Sequence, residues 1–208
     1  MSVAAARALS RSLLDLCRMR KLTIATAESC TGGMVAAALT DIPGSSDVID
    51  RGFVTYSNAA KHAMLGVDIA TLDAFGAVSK ETATAMAFGA LEHADVDLAV
   101  SITGIAGPGG ATPGKPVGLV HLAVASRDGR IIHKECRFGA VGRRTVRQQS
   151  VIEALKMLTE MARGPQSPLK RARAATHRLR PRASRTPRRT AGKRRRTSRP
   201  STPRASDS

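Results

Sequence analysis

The chain reads as an α/β protein, a single-domain layered fold with a mixed β-sheet flanked by helices, over residues 1–163. Three observations predict this. Short apolar runs alternate with amphipathic stretches of helical period. One strong hairpin signal, Asp128-Gly129, sits between two apolar runs and adds antiparallel pairing to strands otherwise separated by helices. Two glycine-rich segments follow apolar runs directly, as ligand loops do at the carboxyl ends of α/β strands.

The elements follow in order. Ala6, Leu9, Leu13, Leu14 and Cys17 recur at helical spacing and predict an amphipathic helix over 3–18. A strand is expected at 22–26, then a small-residue helix at 30–40. The run 48–56 reads as a strand with a bulge at Gly52. Short helices are expected at 57–65 and 68–74. Ser79, with Glu81 in the first turn, starts a helix that runs to Glu92. Leu98 to Thr103 is a buried strand by its apolar content and leads into a loop at 104–116. Strands at 117–125 and 130–138 flank the hairpin turn. A helix at 143–162 closes the domain, and Gly164-Pro165 is its stop signal.

Charge divides the chain in two. The formal net charge is +17, but residues 164–208 hold 15 of the 33 Lys and Arg and a single acid, Asp207. The preceding residues carry only +3, an ordinary near-neutral domain. The arm is rich in Arg, Pro, Ser and Thr and has almost nothing to bury, so disorder is expected there. A domain of about 163 residues suits one core. With four Phe, one Tyr and no Trp, that core must be built from aliphatic side chains. Cys17, Cys30 and Cys136 form no C-x-x-C pair, which fits a reducing cytoplasm without disulfides or a cysteine zinc site. No apolar run reaches 18 residues, so neither a membrane span nor a signal peptide is expected.

The most informative stretch is Thr26-Ala-Glu-Ser-Cys-Thr-Gly-Gly33, at a strand-to-helix junction. The N–H groups of Thr31, Gly32 and Gly33 fall among the orphan donors of a first helical turn. Ser29 there is either a nucleophile with those donors as an anion seat, or merely the helix cap, and caps are commoner. The second glycine-rich segment runs from Thr103 to Lys115 and includes Gly104, Gly107 and Gly109. It is either a flexible connection or a set of backbone amides approaching a phosphate or ribose. Gly109 to Lys115 has the spacing of a P-loop, but Pro116 replaces the Ser/Thr that would hold Mg²⁺ and a strand follows. A Walker site is excluded. The third stretch is Tyr56-Ser-Asn-Ala-Ala-Lys61. Lys61 is either an ordinary solvated lysine or one desolvated enough to serve as general base for a serine. His62 competes for that role, but neighbours on a helix face different ways.

Taken together these segments resemble the CinA C-terminal domain family, whose stand-alone members are nicotinamide-mononucleotide deamidases of the PncC type. The resemblance rests on residues 26–33 and Tyr56-Ser-Asn-x-x-Lys61, then Val78-Ser-Lys-Glu-Thr82 and Ser101-Ile-Thr-Gly-Ile-Ala-Gly-Pro-Gly-Gly110. It continues through Lys115-Pro-Val-Gly118 to Arg143-x-x-Val-Arg147, and so covers nearly all of residues 5–160. It implies hydrolysis of the nicotinamide mononucleotide carboxamide to nicotinate mononucleotide and ammonia, in pyridine nucleotide salvage, by a serine/lysine hydrolase without metal or cofactor. By that resemblance Ser29 is the nucleophile, Lys61 the base, and Tyr56 an orienting neighbour. Thr31, Gly32 and Gly33 would meet the substrate at the helix start, Thr103 with Gly104, Gly107 and Gly109 would line the nucleotide side, and Arg143 would pair with the phosphate. Glu28 belongs to the motif and either holds Lys61 or faces a neighbouring subunit.

Two departures stand out. The family usually places Asp or Asn before the arginine, where this chain has Gly142, and Arg144 is adjacent, so either arginine can meet the phosphate. The basic arm lies outside the family pattern. The larger CinA proteins carry an N-terminal domain resembling molybdopterin-binding proteins. These 208 residues hold no counterpart of it, and none of its activity is carried over. A cytoplasmic homo-oligomer acting on a small nucleotide is expected, with nonspecific nucleic-acid contact through the arm and no membrane partner. The competing reading is a non-enzymatic nucleotide-binding scaffold in which Ser29 is only a cap and the arm binds polyanions. Aromatic residues for base stacking are lacking in the arm.

Overall fold

The computed structural model describes residues 3–165; the expectations for the basic arm lie outside the described residues from 166 onward. The elements run α1 (Val3–Arg20), β1 (Ile24–Glu28), α2 (Met34–Thr40), a short 3-10 turn at Ser45–Asp47, β2 (Ile49–Val54), α3 (Asn58–Leu65), α4 (Ile69–Phe75), α5 (Lys80–Ala94), β3 (Leu98–Gly104), β4 (Leu119–Ser126), β5 (Ile131–Arg137) and α6 (Arg143–Arg163). The sheet is mixed, in the order β2-β1-β3-β4-β5. β1 lies parallel to both β2 and β3, whereas β3-β4 and β4-β5 are antiparallel. The expected fold class is therefore the observed one.

Side-chain size sorts the two faces of the sheet. Ile24, Leu98, Val100, Ile102, Val120, Leu122 and Val124 point to one side, where they meet Leu13 and Leu14 of α1, Val35 and Leu39 of α2, and Leu155 and Leu158 of α6. Ala25, Ala27, Ala99, Ala123 and Ala125 point to the other, against Ala83, Met86, Ala87 and Ala90 of α5. Period-two alternation of large and small residues thus specifies which helices can sit where. Small residues on both partners let α5 approach closely. Gly89 extends that approach to α3, since a Cβ there would lie 1.9 Å from the Leu65 carbonyl oxygen. Leu65 and Lys61 are one turn apart on the same buried face, so this contact also sets the position of Lys61.

Several expected bounds shift, and α2 begins at Met34 rather than at residue 30. The first strand runs two residues later than 22–26, because Leu22 and Thr23 serve instead to receive the chain before β3: the Thr23 carbonyl accepts from Asp97 and Leu98 N–H. The irregularity expected at Gly52 falls at Asp50, where the β1–β2 register skips a residue. Gly52 instead gives room for α2, since a Cβ would stand 3.2 Å from that of Ala36. The hairpin forms as expected, with Gly129 at φ 86° in its turn, and α6 ends at Arg163 with Gly164 as its cap.

The crossovers create a crevice. β1 continues into α2 on the large-residue face, while β2 continues into α3–α5 on the alanine face. Neighbouring strands whose connections leave to opposite faces open a gap at their carboxyl ends, where α/β proteins place ligands. Ser29 follows β1, and Thr55 to Lys61 follow β2.

Candidate active site

Ser29 is held at the mouth of that crevice from both sides. Its own N–H donates to the Ile102 carbonyl at 2.9 Å, and the preceding Glu28 carbonyl accepts from Thr55 N–H at 2.8 Å. β1 is thereby pinned one residue past its formal end. Ser57 caps α3 by accepting from Ala60 N–H, which starts the helix so that Lys61 turns inward and His62 outward. His62 is exposed and spends its Nδ1 on the Val67 carbonyl, 2.9 Å away.

Lys61 is 1% exposed, and Ser29 is 8% exposed. The Lys61 Nζ lies 3.2 Å from the Ser29 Oγ and donates to the Thr55 carbonyl at 2.9 Å. Burial holds the lysine below its ordinary pKa of 10.5, with the neighbouring Cys30 pulling it back up. Desolvation penalises the ammonium and favours the neutral amine, the form with a lone pair to accept a proton. The adjacent thiol behaves in the opposite sense for the same reason. Burial pushes Cys30 up to about 12, with its own backbone N–H opposing and the Glu28 carboxylate adding to the rise. At neutral pH that thiol is protonated and a weak nucleophile.

Ser29 is not a helix cap. The N-cap of α2 is Gly33, in the left-handed region at φ 92°, and no side-chain hydroxyl caps it. Glu28 does that work from inside the fold. Its fully buried carboxylate accepts from Gly33 N–H at 3.0 Å, Val35 N–H at 3.0 Å and Ala36 N–H at 2.9 Å, and from the Thr26 hydroxyl at 3.3 Å. An anion at a helix start is favoured by the orphan amides and the dipole alike. Glu28 therefore neither bonds Lys61 nor stands exposed.

The anion seat expected from three amides is correspondingly smaller. Gly32 N–H donates to the Ser29 carbonyl at 3.0 Å, and Gly33 N–H is taken by Glu28. Among the described residues, the Thr31 N–H has no hydrogen-bond partner. The Thr31 and Thr55 hydroxyls are likewise buried without partners.

The other sequence-derived positions separate into two groups. Tyr56 is 60% exposed, and its hydroxyl accepts from Arg143 Nη2 at 2.7 Å. It makes no hydrogen bond to Lys61; the Thr55 carbonyl orients the lysine instead. Arg143 Nη1 reaches the Gly107 carbonyl at 3.2 Å, which ties the glycine loop and the post-β2 segment to the start of α6. Thr103 is buried and donates to the Ala77 carbonyl at 2.6 Å, a structural contact between β3 and the approach to α5. Gly104 is packed under Val120, while Gly109 is exposed with open space around it. Lys115, the lysine of the P-loop lookalike, donates to the Phe75 carbonyl at the end of α4.

Sequence reasoning assigned no role to Arg147. It sits one turn after Arg143, where Nε donates to the Cys30 carbonyl at 3.1 Å and Nη2 to the Thr31 carbonyl at 2.8 Å. Its spacing from Arg143, which puts both on one face of α6, was the available signal. With Met34, Arg143, Arg144 and Gln148 it lines a depression of about 550 Å³ that contains no carboxylate. Among the described residues, no group of three or more His, Cys, Asp or Glu side chains could hold a metal ion. Nor is any described helix long and apolar enough to cross a membrane.

Comparison with known proteins identifies the family and the fold of this chain. A CinA-like protein of Chlorobium phaeovibrioides is 55% identical over 121 residues, covering 58% of this chain and 28% of that protein. The nicotinamide-nucleotide amidohydrolase PncC of Enterobacter agglomerans is 50% identical over 133 residues, or 64% of this chain and 80% of that one. The crystal structure of the competence/damage inducible protein CihA from Agrobacterium tumefaciens matches with a TM-score of 0.73 at 52% identity, covering 74% of this chain and 93% of that chain. This chain spans only 28% and 31% of the length of the CinA-like proteins of Chlorobium phaeovibrioides and Chlorobaculum tepidum. The family model of the CinA C-terminal domain matches residues 6–162, the whole layered unit from α1 through α6, and the chain belongs to that family.

Proposed function

We propose that the chain is a nicotinamide-nucleotide amidohydrolase in which Ser29 and Lys61 cleave the carboxamide of nicotinamide mononucleotide. The observation that carries this reading is a buried lysine, depressed in pKa, within hydrogen-bond reach of a serine hydroxyl. The name of the Enterobacter agglomerans relative supports the substrate class. In the neutral amine one N–H stays on the Thr55 carbonyl while the lone pair faces the Ser29 hydroxyl. Ser29 Oγ attacks the carboxamide carbon as its proton passes to Lys61 Nζ. The carbonyl oxygen takes the negative charge, and the Thr31 N–H, which no acceptor among the described residues occupies, is a donor to receive it. Collapse breaks the C–N bond, and Lys61 returns the proton to the departing ammonia. Water then repeats the sequence on the ester, freeing nicotinate mononucleotide and Ser29.

Arg143 and Arg144 take the substrate phosphate in a depression free of carboxylates. The scaffold alternative loses its ground at Ser29, because the serine hydroxyl meets Lys61 rather than a helix amide. The charge of residues 164–208 supports a separate, nonspecific contact with polyanions.

The test is direct. Purified protein incubated with nicotinamide mononucleotide and EDTA releases ammonia and nicotinate mononucleotide in equal amounts. Substrate recovered intact would refute the reading, and activity that needed a divalent ion would refute the metal-free mechanism.

A further inference from the structure

Arg147 holds the loop that carries the nucleophile. The guanidinium is half-buried against residues 29–33 and donates to two consecutive carbonyls, those of Cys30 and Thr31. In a trans peptide the N–H points opposite to the carbonyl of the same plane. Fixing the Cys30 carbonyl on Arg147 therefore turns the Thr31 N–H away from the guanidinium. The same logic places the Gly32 N–H, which reaches the Ser29 carbonyl once the Thr31 carbonyl is held. Besides Arg147, the turn is held by the Gly32 N–H on the Ser29 carbonyl and the Gly33 N–H on Glu28. Gly32 and Gly33 both occupy the left-handed region, at φ 58° and 92°, and neither has a side chain to anchor it. A Cβ on Gly32 would stand 3.4 Å from Arg147 Nη2, so the guanidinium lies directly over this turn.

We propose that Arg147 is a positioning residue: its two-point grip sets the Cys30–Thr31 peptide plane and so aims the Thr31 N–H at the oxyanion formed when Ser29 attacks. This rests on the amidohydrolase reading above. A planar fork with fixed donors can hold two carbonyls at once, whereas a lysine offers one point charge. Arg147→Lys therefore keeps the positive charge beside the depression but releases the turn.

The experiment separates positioning from substrate binding and from folding. kcat and KM for nicotinamide mononucleotide are measured for the parent protein, Arg147→Lys and Arg147→Gln, with circular dichroism on each. Substrate affinity is measured by calorimetry on Ser29→Ala with and without Arg147→Lys. The expected result is a fall in kcat of about 100-fold in both variants, the scale of a lost oxyanion donor, with KM within about threefold. Calorimetric affinity should match with and without the lysine. A kcat near that of the parent would overturn the proposal. So would a raised KM at unchanged kcat, which would make Arg147 a phosphate ligand. Unfolding of both variants would overturn it too, by making Arg147 a residue that holds the fold. An inactive parent protein would instead sink the amidohydrolase reading, and this inference with it.

Discussion

At the scale of single residues, Lys61 is a group kept at a cost to stability. A buried amine whose folded pKa lies below the unfolded value binds fewer protons in the native state over the interval between the two. Stability is therefore lost as pH falls through that interval, and the full cost is present below the folded pKa. Lys61→Met keeps most of the length of the side chain and removes the amine. It should abolish ammonia release while raising Tm by about 2–4 °C, read in a thermal melt at pH 7. A variant that is both inactive and less stable would mean that the lysine's hydrogen bonds to Ser29 and Thr55 outweigh its desolvation. In the parent protein kcat/KM should rise with pH and level off above the lowered pKa of the lysine, because only the neutral amine accepts the serine proton. A rate that falls over that range would contradict the assignment of Lys61 as base.

At the scale of elements, the β1–turn–α2 unit depends on one carboxylate. Glu28 accepts from three backbone amides, one buried and two part-buried, that would otherwise be orphans. Glu28→Gln puts an amide NH₂ among those donors and leaves at least one unsatisfied, a loss of about 2–3 kcal/mol. Tm should fall by roughly 5–10 °C, and activity should fall with it because the turn carrying Ser29 loosens. An unchanged melt would show that the cap is dispensable. Helices with strong periodicity or clear caps were legible from sequence: α1, α5 and α6 lie close to their expected bounds. The β1 strand was harder, because Ala-Thr-Ala-Glu has weak β propensity and is held by ladders on both sides, a tertiary effect no local window contains. The Glu28 cap was hidden for a related reason. Acidic residues are seldom fully buried, and this one reaches forward from a strand to a helix beyond two glycines.

At the scale of the molecule, the site is a product of strand order. Ser29 and Lys61 were both legible as chemical candidates, but their meeting follows from β1 and β2 lying side by side with their connections on opposite faces. Sequence order alone does not state that adjacency. Tyr56 illustrates the limit: its neighbour in sequence, Thr55, meets the lysine through its carbonyl, while Tyr56 itself turns out to Arg143. The basic arm stands apart from all these residues in sequence. A chain ending at Arg163 drops from a formal +17 to +3 and keeps every residue of the site. It should retain the deamidation rate and lose the low-salt binding of mixed DNA or RNA that the full chain should display. That binding should weaken steeply with added salt, since counterion release drives it. Salt-insensitive binding would contradict a purely electrostatic arm. The claim at the centre of the account is that the hydroxyl of Ser29, not the thiol beside it, attacks the carboxamide. Ammonia release from nicotinamide mononucleotide by Ser29→Ala and Cys30→Ala, assayed beside the parent protein, tests it most directly. The account predicts no turnover from Ser29→Ala and substantial turnover from Cys30→Ala, and an active serine variant beside a dead cysteine variant would contradict it.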